Sequence, residues 1–114
     1  MNLEINVEES NGIVFLHIKG EVDLYSSPDV RKKIFEIVKH KAPVILVNLE
    51  QVKYMDSSGV ATLIEGLQQS NKYNGRFALY GLQNNVKEVF ELTRLDKIFA
   101  IYPDRDSAIG KKDA

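Results

Sequence analysis

The stretch Val44-Ile45-Leu46-Val47-Asn48-Leu49, followed after Glu50-Gln51-Val52-Lys53 by Tyr54-Met55-Asp56-Ser57-Ser58-Gly59, decides the architecture. Its opening residues are apolar on both faces, which is the pattern of a strand buried in the middle of a sheet. Pro43 stands before it and stops any preceding helix. At its far end, Asp56 or Ser57 can accept from a free backbone N–H at a helix start, and Val60, Leu63, Ile64 and Leu67 then recur along one face. A buried strand that leads into an amphipathic helix is the repeating unit of an α/β sheet.

Toward the N-terminus, Leu3, Ile5 and Val7 alternate with polar residues, Asn11-Gly12 signals a tight turn, and Val14, Leu16 and Ile18 alternate again. This predicts an antiparallel hairpin whose second strand ends at Gly20. A helix follows, capped by Ser27 and opened by Pro28, with Val30, Ile34, Ile37 and Val38 facing inward and Arg31, Lys32, Glu36 and Lys39 facing out. Toward the C-terminus, Gly75 marks a break and Arg76 to Tyr80 reads as a strand. Asn84 or Asn85 caps a third helix carrying Val86, Val89 and Phe90. Ile98 to Tyr102 is a last strand, with a short helix around Ser107. The predicted order is β-β-α-β-α-β-α-β: one α/β domain over residues 1–109, mostly parallel, with the first strand at an edge and a frayed tail over 110–114.

Composition narrows the function. The chain has 114 residues and a formal net charge of −1, so no strong field draws it to nucleic acid or to an anionic membrane. The basic run Arg31-Lys32-Lys33 is flanked by Asp29 and Glu36 and reads as a solvated helix face. There is no cysteine, which excludes disulfides, thiolate metal sites and cysteine nucleophiles and is compatible with the cytoplasm. The longest apolar run is far shorter than the ~20 residues that cross a bilayer. No signal peptide fits Met1 to Ser10, so any membrane role is expected to go through a partner. No phosphate-binding glycine loop is present, and His17 and His40 lack zinc spacing. A Ser–His hydrolase has no Gly-x-Ser-x-Gly elbow to support it, and no acid is evident to orient His17.

In a sheet of this kind, sites form at the carboxyl ends of strands. Three loops are expected there: Gly20 to Asp23, Tyr54 to Gly59, and Gly81 to Gln83. They would gather Asp23, Asp56, Ser57 and Ser58 at one end. The helix start after Asp56 has free N–H groups and a favourable dipole for an anion, and Gly59 allows close approach to the backbone. A phosphate on Ser57 would bring roughly −1.5 to −2 charges to the surface without unfolding the domain. The plainer reading of Asp56-Ser57-Ser58-Gly59 is an ordinary helix cap, and of Asp23 a turn-forming acid. Tyr25 stands apart from the other aromatics as a candidate interface anchor in a polar loop.

Gly20-Glu21-Val22-Asp23, the stretch from Val44 to Gly59, and Leu92-Thr93-Arg94-Leu95-Asp96-Lys97-Ile98-Phe99, in this order and spacing, resemble the anti-sigma-factor antagonists, bacterial proteins of the STAS domain. The resemblance implies a non-enzymatic, cytoplasmic switch with no cofactor of its own. Ser57 would be phosphorylated by an anti-sigma factor that is also a serine kinase, and a metal-dependent serine phosphatase would reset it. The unphosphorylated form would bind the anti-sigma factor and release the sigma factor. Asp23, Tyr25, Ser27, Met55, Asp56, Ser58 and Gly59 would form the partner surface. Gly59-Val60-Ala61 departs from the Gly-Leu-Gly common in the family. A subunit of a lipid-transport ABC system is the alternative.

Overall fold

The computed structural model describes residues 3–110. The chain forms β1 (Leu3–Ser10), β2 (Ile13–Val22), α1 (Ser27–Lys39), β3 (Val44–Met55), α2 (Ser57–Asn71), β4 (Arg76–Tyr80), α3 (Asn84–Leu92), a 3-10 turn (Leu95–Lys97), β5 (Ala100–Tyr102) and α4 (Arg105–Gly110). The strands lie in chain order in one sheet, β1 antiparallel to β2 and every later pair parallel, with β1 at an edge. Gly110 is the last residue of α4, and the remainder of the tail expected over 110–114 lies outside the described residues.

The core forms where the sequence pattern placed it. Val30 and Ile34 of α1, Ile45, Val47 and Leu49 of β3, Leu63 of α2, and Val86 and Phe90 of α3 are buried together on one face of the sheet. The other face carries a smaller apolar cluster of Ile13, Phe15, Leu46, Ala78 and Tyr80, covered by Ala108 of α4. Alternating residues of the central strands therefore enter two different cores, which is why Val44 to Leu49 reads as apolar throughout.

Several boundaries depart from the sequence reading. β2 does not end at Gly20 but runs to Val22, because Gly20 takes φ +118° and absorbs an irregularity in the β2–β3 register within the strand. β3 does not end at Leu49 but reaches Met55. Lys19 pairs with Gln51 and Glu21 with Tyr54, so β3 gains an extra residue at each of two register shifts. Leu49, Val52 and Met55 consequently point inward at every third position, a spacing that hides a strand from a period-two search. Tyr54 and Met55 are thus strand residues rather than loop. Neither Ser27 nor Asn84 nor Asn85 caps its helix. Ser26 and Gln83 hold those positions without a side-chain cap bond, Ser27 is already in α1, and the Asn85 amide is drawn away to the Lys53 carbonyl.

The last strand is shorter than the expected Ile98 to Tyr102, since the N–H groups of Ile98 and Phe99 both donate to the Leu95 carbonyl, at 3.0 and 2.9 Å, and close the 3-10 turn that follows Arg94 at φ +62°. Phe99 is buried against Phe90 and Phe77 before β5 begins.

Candidate functional site

Two of the three expected loops meet. Val22 pairs with Met55, so Asp23 and Asp56 leave neighbouring strands side by side, and the Asp56 N–H donates to the Val22 carbonyl at 3.2 Å. The third loop does not join them. β4 ends at Tyr80 opposite Asn48 and His17, while the β2–β3 pair runs on to Val22 and Met55, so β4 stops roughly 16 Å short of the β3 tip at about 3.3 Å per residue. Instead, the Gln83 side-chain amide donates to the Glu50 carbonyl at 2.9 Å, packing the loop along the flank of β3.

Asp56 is the cap of α2. One oxygen, Oδ1, accepts from the Ser58 N–H at 2.9 Å and more distantly from the Gly59 N–H at 3.4 Å. These are the donors that would otherwise face an anion, so an acidic side chain of the chain itself already occupies the helix N-terminus. Ser57, the first residue of the helix, is exposed, and its hydroxyl forms no hydrogen bond with any described residue. Ser58 is half-buried. Gly59 is buried, and a Cβ there would lie 2.7 Å from Met55 Cγ, 2.8 Å from Val22 Cγ1 and 3.0 Å from the Val22 carbonyl oxygen. The close approach that Gly59 permits is internal, between α2 and the ends of β2 and β3, rather than toward another molecule. Ala61 is exposed, so the methyl that replaces a glycine faces outward and does not alter helix packing.

Asp23 organises the neighbouring loop. Its Oδ1 accepts from the N–H groups of Tyr25 and Ser26, both at 2.9 Å. Ser26 is buried; its hydroxyl donates to the Glu21 carbonyl at 2.7 Å and accepts from the Asp23 N–H at 2.9 Å. The bond from the Ser26 N–H, assisted by that from Tyr25, holds the Asp23 carboxyl below the usual carboxylate range. This knot turns Leu24 and Tyr25 outward, 63% and 79% exposed, and Tyr54 at the β3 tip is 48% exposed. Three large side chains are therefore exposed on the two neighbouring segments that carry Asp23 and Asp56.

Of the residues expected at a partner surface, Tyr25 is exposed and Asp23, Asp56 and Ser58 are partly so. Ser27, Met55 and Gly59 are buried and face the interior. The sequence reading missed Ser26, Leu24 and Tyr54. Ser26 lies three residues after Asp23, the interval at which a side chain can close a turn on itself, and that spacing was the available signal.

His17 does have an orienting acid. Its Nε2 lies 2.8 Å from Glu8 Oε1, and its Nδ1 lies 2.8 Å from Asn48 Nδ2. Because Asn48 Oδ1 accepts the Glu50 N–H at 2.9 Å, its amide group donates to Nδ1, and the imidazole proton sits on Nε2. Both nitrogens are engaged in the middle of the sheet, and Ser57 has no histidine base.

The family model of the STAS domain matches residues 4–108. The anti-sigma-B factor antagonist of Bacillus subtilis is 29% identical over 101 residues, 89% of this chain and 92% of that protein. The anti-sigma F factor antagonist of Paenibacillus polymyxa is 27% identical over 110 residues, 96% of this chain and 94% of that protein. The crystal structure of an anti-sigma factor antagonist from Mycobacterium paratuberculosis superposes with a TM-score of 0.89 at 26% identity, covering 96% of this chain and 92% of that one.

Proposed function

The chain belongs to the STAS domain family, and from that membership we propose that it is an anti-sigma-factor antagonist switched by phosphorylation of Ser57. The observation that carries this reading is the exposed, unbonded Ser57 hydroxyl at the first position of α2, beside a cap made by Asp56 rather than by the serine itself. A kinase can take this hydroxyl without breaking a native contact. The γ-phosphoryl group of the kinase's ATP passes to Ser57 Oγ, ADP leaves, and the hydroxyl proton goes to a base on the kinase.

The unmodified form binds the anti-sigma factor through Leu24, Tyr25 and Tyr54 around Ser57. Buried aromatic anchors of this kind supply much of the energy of an interface. A phosphate adds roughly −1.5 to −2 charges in the middle of that surface. With the Ser58 and Gly59 N–H groups held by Asp56, the phosphate stays outward and beside a carboxylate, where it repels the partner instead of folding back onto the helix. Asp23 acts through loop shape, and a metal-dependent serine phosphatase restores the hydroxyl. On this reading the chain is acted upon rather than an enzyme, and it works in the cytoplasm. No helix of the described residues is long and apolar enough to cross a membrane.

The test is incubation with a serine-kinase anti-sigma factor from the same organism and ATP–magnesium. One phosphate is expected, absent in Ser57→Ala, and calorimetry should show binding of the anti-sigma factor lost on modification. Phosphate on another residue, or an affinity indifferent to it, rejects the switch. Recovery of a permease and its ATPase instead, with Ser57→Ala harmless, would mark a transporter subunit.

A further inference from the structure

Between the C-terminal ends of α1 and α2 lies a depression of about 620 Å³ with an apolar floor of Phe35, Val38 and Tyr73 and a rim of Lys39, Lys41 and Lys72. The floor is fixed. The Tyr73 hydroxyl donates to the Ala42 carbonyl at 2.9 Å, and the Arg31 guanidinium lies 4.4 Å from the centre of the Phe35 ring. All three lysines are exposed, and none enters the ion pairs formed among the described residues. Apart from Phe35, the basin is built by residues 37–49 and 66–86, which contain none of the chain's 16 acidic residues; the two acids flanking these stretches are already paired, Glu36 with Lys33 and Glu65 with Arg31. A near-neutral protein thus carries a local basic rim around an apolar floor.

Helix dipoles favour one cation at each C-terminus, which accounts for Lys39 and Lys72 taken singly. They do not account for Lys41, which takes φ +56° just beyond α1, a backbone position where glycine is the unstrained choice. Termination of the helix alone would be served better by glycine; the lysine there adds a third positive charge to the same rim.

We propose that this basin docks an acidic, amphipathic helical segment of a protein partner, with an apolar side chain seated on Phe35 and Tyr73 and flanking carboxylates meeting Lys39, Lys41 and Lys72. A membrane fits less well, because the surface is concave and a net charge of −1 supplies no long-range attraction to anionic lipid. The basin lies at the opposite end of α2 from Ser57. A helix of 15 residues is about 22 Å long at 1.5 Å per residue, well beyond the screening length of ~8 Å at physiological salt. Docking here is therefore insensitive to the charge on Ser57 and does not rest on the switch proposed above.

The test uses the full chain, labelled with nitrogen-15 and titrated in solution with a synthetic helical peptide carrying leucine at i, i+3, i+4 and i+7 and glutamate on both flanks. Saturable shifts are expected at Phe35, Lys39, Lys41, Lys72 and Tyr73. Replacing the peptide's glutamates by glutamine, or combining Lys39→Glu, Lys41→Glu and Lys72→Glu in the protein, should weaken binding about tenfold or more. Ser57→Asp should leave it within about twofold, since the charges are screened at that distance. Absence of shifts in the basin overturns the proposal, as does equal binding of the glutamine peptide. Vesicles of anionic phospholipid that bind the chain through these lysines while the peptide does not would assign the surface to a membrane and overturn it equally.

Discussion

Gly59→Ala is the sharpest probe of how the candidate site is mounted. The new methyl would lie 2.7 Å from Met55 Cγ, 2.8 Å from Val22 Cγ1 and 3.0 Å from the Val22 carbonyl oxygen. The two side chains can shift. The carbonyl cannot shift freely, because it receives the Asp56 N–H at 3.2 Å. Overpacking of this type costs typically 1–3 kcal/mol, and a site blocked partly by backbone belongs in the upper half, about 2–3 kcal/mol. Against this, alanine recovers about 1 kcal/mol of helix propensity over glycine. The net loss is therefore about 1–2 kcal/mol. At an unfolding entropy of ~2.1 cal/mol/K per residue over 114 residues, that lowers Tm by about 4–8 °C. Urea unfolding followed by circular dichroism measures it directly, and the Ser58 and Gly59 amides should exchange faster as α2 is pushed off the strand ends. Ala61→Gly is the control. Ala61 is exposed two positions along the same turn, so its loss should be only the propensity difference of about 1 kcal/mol, with no change at the cap. Gly59→Ala as stable as the parent, or more so, would refute the claim that this glycine exists for internal packing.

Asp56→Ala should cost about 1 kcal/mol through loss of the cap, while Asp56→Asn, whose amide oxygen still accepts, should cost less than half of that; equal losses in urea titrations would mean that charge rather than the hydrogen bond matters. Asp23→Ala should speed exchange of the Tyr25 and Ser26 amides and lower anti-sigma-factor affinity with Ser57 untouched, and Asp23→Asn should restore much of both; unchanged exchange would remove Asp23 as the loop's organiser. Bonds from Arg105 and then His17 hold the Glu8 carboxyl down from 4.5 to about 2. A depressed acid stabilises the fold above its unfolded value and ceases to do so as pH falls, so the urea midpoint should drop between pH 4.5 and about 2 and drop less in Glu8→Gln; parallel acid limbs in the two proteins would exclude this contribution.

The order of elements and the main core were legible because burial imposes a period. Val30, Ile34, Ile37 and Val38 repeat as a helix face must, and Val44 to Leu49 has no polar face to offer solvent. The second half of β3 was not legible, because two register shifts turn its inward residues to every third position. The helix start at Ser57 was predicted, with Asp56 as one of two possible caps; the structure chooses Asp56. Ser27, Met55 and Gly59 belong to the same segments as the exposed site residues, but adjacency in sequence does not say which way a side chain points once a bulge or a helix start rotates the chain. The acid beside His17 escaped notice for a related reason. Glu8 is nine residues away, and only the antiparallel β1–β2 register brings it alongside.

Beyond Asn48, β3 has lost β4 and is paired by strand bonds to β2 alone, with the Gln83 and Asn85 side chains bracing its free flank at Glu50 and Lys53. Mechanically, Ser57 rides at the end of a cantilever. A load applied at the exposed Leu24–Tyr25 and Tyr54 surface acts at the tip of a two-stranded arm, and the bending moment is greatest where the arm joins the full sheet, at the row of His17, Asn48 and Tyr80. The support of the site is thus set by a difference in strand length, and shortening or extending β4 would alter that support without altering Ser57, Asp56 or Asp23.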